Sequence, residues 1–238
     1  MVFRSKKKAL SEEDIKLNYG RTWIWTAIDP VSRLLLCHHV GDRTLDECRE
    51  LFKTLLSRVD NKPLFVSDEL SHYKTVIFEN FNHTVEFPRT GNPGRPKKPI
   101  QVIDYDVDYA VVHKTREKGT IVDVCTKIVF GTEDTIKERL NKTISNKINT
   151  AYIERSNLTL RQNDAHLQRK TIKFSKEMDF FKAKLNIIIF HYNFIKTHLS
   201  LSIKADKRIT LRTPALKANI VKNNWTVKYA FMYPILIQ

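Results

Sequence analysis

Only five residues, Asp29 to Arg33, separate two apolar runs rich in β-formers, Trp23–Ile28 and Leu34–Val40. A link that short cannot carry a crossover, because parallel neighbours need a connection of a dozen residues or more. The two runs are therefore predicted to pair antiparallel, with Asp29 and Pro30 opening the turn. Whatever else the chain builds must begin on this ribbon.

Downstream of the ribbon, helix and strand alternate. Thr44 and Glu47 have the T-x-x-E spacing of a capping box. Leu45, Cys48, Leu51, Phe52, Leu55, Leu56 and Val59 then recur on one helical face. Pro63 ends the connection, and Leu64, Phe65 and Val66 form a short buried strand running into Ser67 and Asp68. A helix is predicted over Glu69–Phe81, with extended structure at Thr84–Phe87.

Pro88 to Pro99 reads PRTGNPGRPKKP, with four of the chain's eight prolines and two of its six glycines. It can be neither helix nor central strand, and reads as a basic loop bearing Arg89, Arg95, Lys97 and Lys98. Beyond it, Val107–Val112 and Thr120–Phe130 flank Arg116–Gly119 as a hairpin. Short helices are expected at Glu133–Leu140 and Tyr152–Leu160. A longer helix at Asp179–His198 has Phe181, Leu185, Ile188, Ile189 and Tyr192 set to pack on a sheet. From Ala205 the pattern is too weak to assign.

The chain of 238 residues carries a net charge of +15. An excess of that size favours a polyanion, since each phosphate neutralised by Lys or Arg releases condensed counterions. No run approaches the length of a membrane span, and no signal-peptide core follows Met1. A soluble, intracellular protein with nucleic acid as its leading partner is the expectation. Cys37, Cys48 and Cys125 lack C-x-x-C spacing and read as buried thiols in a reducing compartment. The eight histidines form no H-x-x-x-H pair.

Chemistry concentrates in Asn149–Lys176, NTAYIERSNLTLRQNDAHLQRKTIKFSK. Glu154 opens a polar helix there, and Arg155, Arg161, Arg169, Lys170, Lys173 and Lys176 outnumber the acidic Glu154 and Asp164. One carboxylate within a cationic stretch is suited to hold a divalent metal while its neighbours grip phosphates. The plainer reading is a solvated helix face with Glu154 paired to an arginine.

IERSNLTLR, QRKTIKFSK and HYNFIKTHLSL together resemble the C-terminal signature of insertion-sequence-one-type DDE transposases. WIWTAIDPVSRLLL, GDRT, SDELSHYK and RTPAL agree in order and spacing, so the resemblance spans nearly the whole chain. It implies an α/β, RNase H-like core with an inserted β-rich subdomain. The corresponding divisions are a basic N-terminal segment over 1–20, a first part of the core over 21–87 and the inserted loop and hairpin over 88–150. The catalytic Glu helix with the C-terminal helices comes next over 151–204, then a tail over 205–238.

It also implies cleavage and strand transfer of double-stranded DNA with two Mg2+ or Mn2+ ions, by a cytoplasmic, nucleoid-associated protein that acts as a homo-oligomer on DNA. Glu154 matches the last member of the family's catalytic triad and Asp68 the second, both as metal ligands. The family more often has Gly after that Asp, where Glu69 stands here. The alternative for Asp68 is an N-cap of the following helix. Lys74 is placed to contact a phosphate, and His191 and Tyr192 read equally as core residues.

The first Asp of the triad lies, in the family, just before the segment that Phe3–Lys8 resembles. The chain is thus expected to be N-terminally truncated and impaired or inactive. Asp29 reads first as a turn-forming Asx residue, with a substitute metal ligand as its alternative. A DNA-binding remnant without catalysis and an RNase H-type nuclease remain as competing readings.

Overall fold

A computed structural model describes residues 22–88, 97–143, 146–168, 173, 175, 177–205 and 208–233. The chain is mixed α/β, with several small sheets and interspersed helices. It divides into two compact units, Met1–Arg43 with Ala151–Gln238, and Thr44–Thr150.

In the first unit, β1 (Trp23–Ile28) and β2 (Leu35–Gly41) pair antiparallel, from Trp23 opposite Gly41 to Ile28 opposite Leu35. The turn closes through the Asp29 N–H to the Leu34 carbonyl at 2.9 Å and the Arg33 N–H to the Asp29 carbonyl at 2.8 Å. Ile24, Leu35 and Val40 are buried against Leu160, Leu167, Phe181, Leu185, Ile189 and Tyr192. Each such side chain contributes roughly 1.5–3 kcal/mol by leaving water. The last five come from the 3-10 turn Ala165–Leu167, the helix Met178–Phe190 and the π-turn His191–Ile195.

That last helix is shorter than its apolar pattern predicts. It passes into the π-turn, where the Lys196 N–H returns to the His191 carbonyl at 2.8 Å, and His198 already begins a strand. Asn193 explains the interruption. Its side-chain amide accepts from the Leu35 N–H and donates to the Leu35 carbonyl, both at 3.0 Å, standing in for one residue of a third strand beside β2.

The tail, without a readable pattern, is ordered by tertiary contacts. β8 (His198–Ala205) and β9 (Arg208–Arg212) form a hairpin. Trp225 packs against Phe190, Phe194, Tyr229 and Tyr233 with ring centroids 4.8–5.9 Å apart.

In the second unit, α1 (Leu45–Leu56) is capped by Thr44, whose side chain accepts from the Glu47 N–H, and buries Cys48, Leu51, Phe52 and Leu55. β3 (Phe65–Asp68), α2 (Ser71–Asn80) and β4 (Asn82–Val85) lie within a few residues of their expected positions. β5 (Ile100–Ile103) pairs with β4. The hairpin is present as β6 (Tyr109–Glu117) and β7 (Thr120–Phe130), and β6 also pairs in parallel with β3, so the hairpin shares a sheet with the strand carrying Asp68. Cys37 and Cys48 are buried, whereas Cys125 is exposed because the outer part of β7 is uncovered on both faces.

Beneath this sheet lies a charge brace without a sequence signature. Asp108, 2% exposed, accepts from Thr135 Oγ1 at 2.7 Å and pairs with Arg139 Nε at 2.5 Å. Arg139, on α3 (Glu133–Asn141), also donates to the backbone carbonyls of Lys62 and Asp106.

Candidate functional site

Asp68 ends β3, with its side chain exposed, opposite Val112 of β6. It is not the cap of α2. The N-cap position there is Leu70, and no side chain caps that helix. Ser67 Oγ donates to the Asp68 carbonyl at 2.6 Å, so its single proton is used and the Tyr109 hydroxyl is the donor in their 2.8 Å contact. Burial pushes the Tyr109 phenol up to about 12, against the Ser67 hydrogen bond and with help from the Asp68 charge. Tyr109 is thus a neutral donor that holds the end of the strand. Glu69 turns to His113 on β6 and hydrogen-bonds its Nδ1.

Glu154 lies exposed in the first turn of α4 (Ala151–Asn163), where carboxylates suit the partial positive charge of a helix N-terminus. Ser156 and Leu160 anchor the opposite face in the core. Thr26 Oγ1 of β1 meets Asn157 Oδ1 at 3.5 Å. The Arg33 guanidinium stacks 3.6 Å from the ring centroid of Tyr152, two residues before Glu154. Burial lowers the Arg33 pKa, opposed by Tyr152, Tyr192 and Asp29.

Asp29 is committed to its own turn. Oδ1 accepts from the Val31 N–H at 3.1 Å, Oδ2 from the Ser32 N–H at 2.8 Å, and the Ser32 hydroxyl is bonded to Oδ2 as well.

Among the cationic candidates, Lys74, Lys98, Arg155 and Lys173 are exposed and Arg161 is half-buried. Lys97 Nζ sits 5.4 Å from the Phe87 ring centroid. Arg89, Arg95, Arg169, Lys170 and Lys176 lie outside the described residues. His191 is exposed, while Tyr192 and Asn193 are buried.

One charged cluster was missed by sequence reasoning. Asp164, 4% exposed, accepts from Lys184 Nζ at 2.7 Å and from the His166 N–H at 3.0 Å. Burial raises its carboxyl, but those bonds outweigh it and hold the pKa below the ordinary value. His166 and Lys184 also line an open groove of about 580 Å³ walled by Phe180, Phe181 and Ile187. The separation of 20 positions between Asp164 and Lys184 left no periodic signal to find.

Asp68 and Glu154 are hard oxygen donors of the kind Mg2+ takes. In neither unit do three His, Cys, Asp or Glu side chains lie together in a metal-holding group among the described residues. Among the described residues a complete donor set is therefore not formed within either unit.

A carboxylate at a strand end and another on a helix of mixed polar and basic character each have the chemistry to hold a hard divalent cation, and neighbouring cations on the helix could meet phosphates. Comparison with known proteins narrows the class. Residues 125–198 match the model of the IS1 transposase family, so the chain is IS1-transposase-like over just under a third of its length. The match takes in Glu154 and Asn193 and ends at His198. No curated protein and no solved structure matches the chain. No helix among the described residues is long and apolar enough to cross a membrane.

Proposed function

We propose that this chain is the catalytic part of a DDE-type insertion-sequence transposase, which binds the ends of a mobile element and acts on their phosphodiester bonds. The family match over the Glu154 helix carries the reading. The order of α1, the Asp-bearing β3, α2 and a parallel β6 supports an RNase H-like core. A net charge of +15 and the exposed Lys74, Lys98, Arg155 and Lys173 support double-stranded DNA as partner.

Asp68 and Glu154 would each supply a carboxylate to Mg2+ or Mn2+, which in such enzymes activates the attacking oxygen and stabilises the departing one. Both oxygens of Asp29 accept hydrogen bonds from its own turn, which supports a turn-forming role over that of a third ligand. That observation favours a protein that holds DNA firmly and cleaves it weakly.

The test is one titration with two readouts. Binding of transposon-end DNA should fall steeply with salt, with a log-log slope of roughly −0.9 per phosphate contact. Strand cleavage in Mg2+ or Mn2+ should be near background. Robust metal-dependent cleavage that disappears in Glu154→Ala would overturn the impaired reading and establish the catalytic one. Cleavage of an RNA:DNA hybrid in preference to transposon-end DNA would replace both with a nuclease.

A further inference from the structure

β7 runs for eleven residues, and the eight from Thr120 to Lys127 are exposed on both faces. One of its edges pairs with β6, and among the described residues the other edge pairs with nothing. Exposed on it are Ile121, Val122 and Val124, at 41%, 51% and 54%. A long, β-branched edge presenting free N–H and C=O groups is a template for another strand, and proteins ordinarily blunt such edges. Here the bulges fall at Val122 and Val129, which have no register partner on β6, and leave Asp123–Ile128 regular between them.

The charges on this regular stretch select the partner. Asp123 and Lys127 flank Cys125 symmetrically, two residues to either side. We propose that β7 is a dimerisation edge, pairing antiparallel with β7 of a second copy about a two-fold axis at Cys125.

In that register Asp123 of each copy faces Lys127 of the other, Val124 faces Thr126, and Cys125 faces itself. A two-fold axis through an antiparallel pair runs perpendicular to the sheet, so each residue faces one of the same parity. The competing registers are therefore slips of two or four residues. A slip of two sets the charges against apolar or thiol side chains. A slip of four sets Asp123 against Asp123 or Lys127 against Lys127, and like charges directly opposite are destabilising. Only the Cys125-centred register satisfies both charges, and it joins two three-stranded sheets into one of six strands. Isologous pairing of this sort is the commonest way a chain closes on itself.

Nothing in this inference rests on the proposed function. The experiment is analytical ultracentrifugation of the full chain without DNA in reducing buffer, with circular dichroism to confirm that each variant is folded. The wild type should be dimeric. Asp123→Lys and Lys127→Asp should each weaken the dimer by about ten-fold or more, because two attractive pairs become repulsive. The double reversal D123K/K127D should restore it.

Facing residues of an antiparallel pair have Cα atoms roughly 4.5–5.5 Å apart, within the span of a disulfide. Mild oxidation should therefore yield a covalent dimer that Cys125→Ser abolishes. A wild type that stays monomeric, a dimer insensitive to both single reversals, or a double reversal that fails to restore it would each overturn the proposal.

Discussion

Replacing Asn193 by Leu, which has nearly the same volume, isolates what its amide does. The change deletes both hydrogen bonds to Leu35, whose residue is 3% exposed, and strands one N–H and one C=O where no water reaches them. Each stranded group costs about 1–3 kcal/mol, so the loss should be about 2–5 kcal/mol after the small gain from burying an apolar side chain. A domain of this size has about 5–15 kcal/mol in all. The loss should therefore remove a substantial share of the first unit's stability while leaving it folded in the absence of denaturant. The chain's three tryptophans, Trp23, Trp25 and Trp225, all lie in that unit, so urea melting followed by Trp fluorescence reports on it alone. The midpoint should fall sharply while the slope stays constant. A loss below about 0.5 kcal/mol, the level of an ordinary surface substitution, would refute the bracing role.

Two further outcomes come from buried polar groups. Gly131 has φ +88° and an added Cβ would lie 2.0 Å from Asp108 Oδ1. Gly131→Ala should therefore cost about 2–4 kcal/mol in thermal melts by displacing the Asp108–Arg139 brace, and should cost clearly less in an Asp108→Ala background. His198 is pressed edge-on against the Tyr192 ring at 4.7 Å, and burial, aided by Lys196 and Arg33 and opposed by a backbone bond to Tyr192, lowers its pKa below the ordinary 6.5. A base with a lowered folded pKa binds protons more readily when unfolded, so this stability is full above 6.5 and is lost as pH falls through the folded value. Melting temperature should drop between pH 7.5 and 5 more in the wild type than in His198→Phe, and parallel profiles would argue against it.

Local features were legible in the sequence. A five-residue link forces β1 against β2, Thr44 caps the helix it precedes, and apolar spacing marks α1, because each depends on residues a turn or a hairpin apart. The candidate site was legible to the same depth. Asp68 was expected at a strand end and Glu154 at a helix start, and both stand there. The turn role of Asp29, one of two readings of the sequence, took the bonds to Val31 and Ser32 to display.

Tertiary structure alone decided the rest. The parallel pairing of β3 with β6 joins residues more than forty positions apart, and no residue type along the way encodes which strand becomes the neighbour. Asn193 shortens an otherwise apolar helix because Leu35, 158 positions away, offers unpaired backbone to its amide. Asp108 with Arg139, and Asp164 with Lys184, have no signature in the sequence, because it is the fold that removes the water around their carboxylates. Hydrophobic periodicity records which face of an element is buried. It does not record what the face is buried against, since burial is non-directional and the polar contacts that choose a partner form only once the chain has closed.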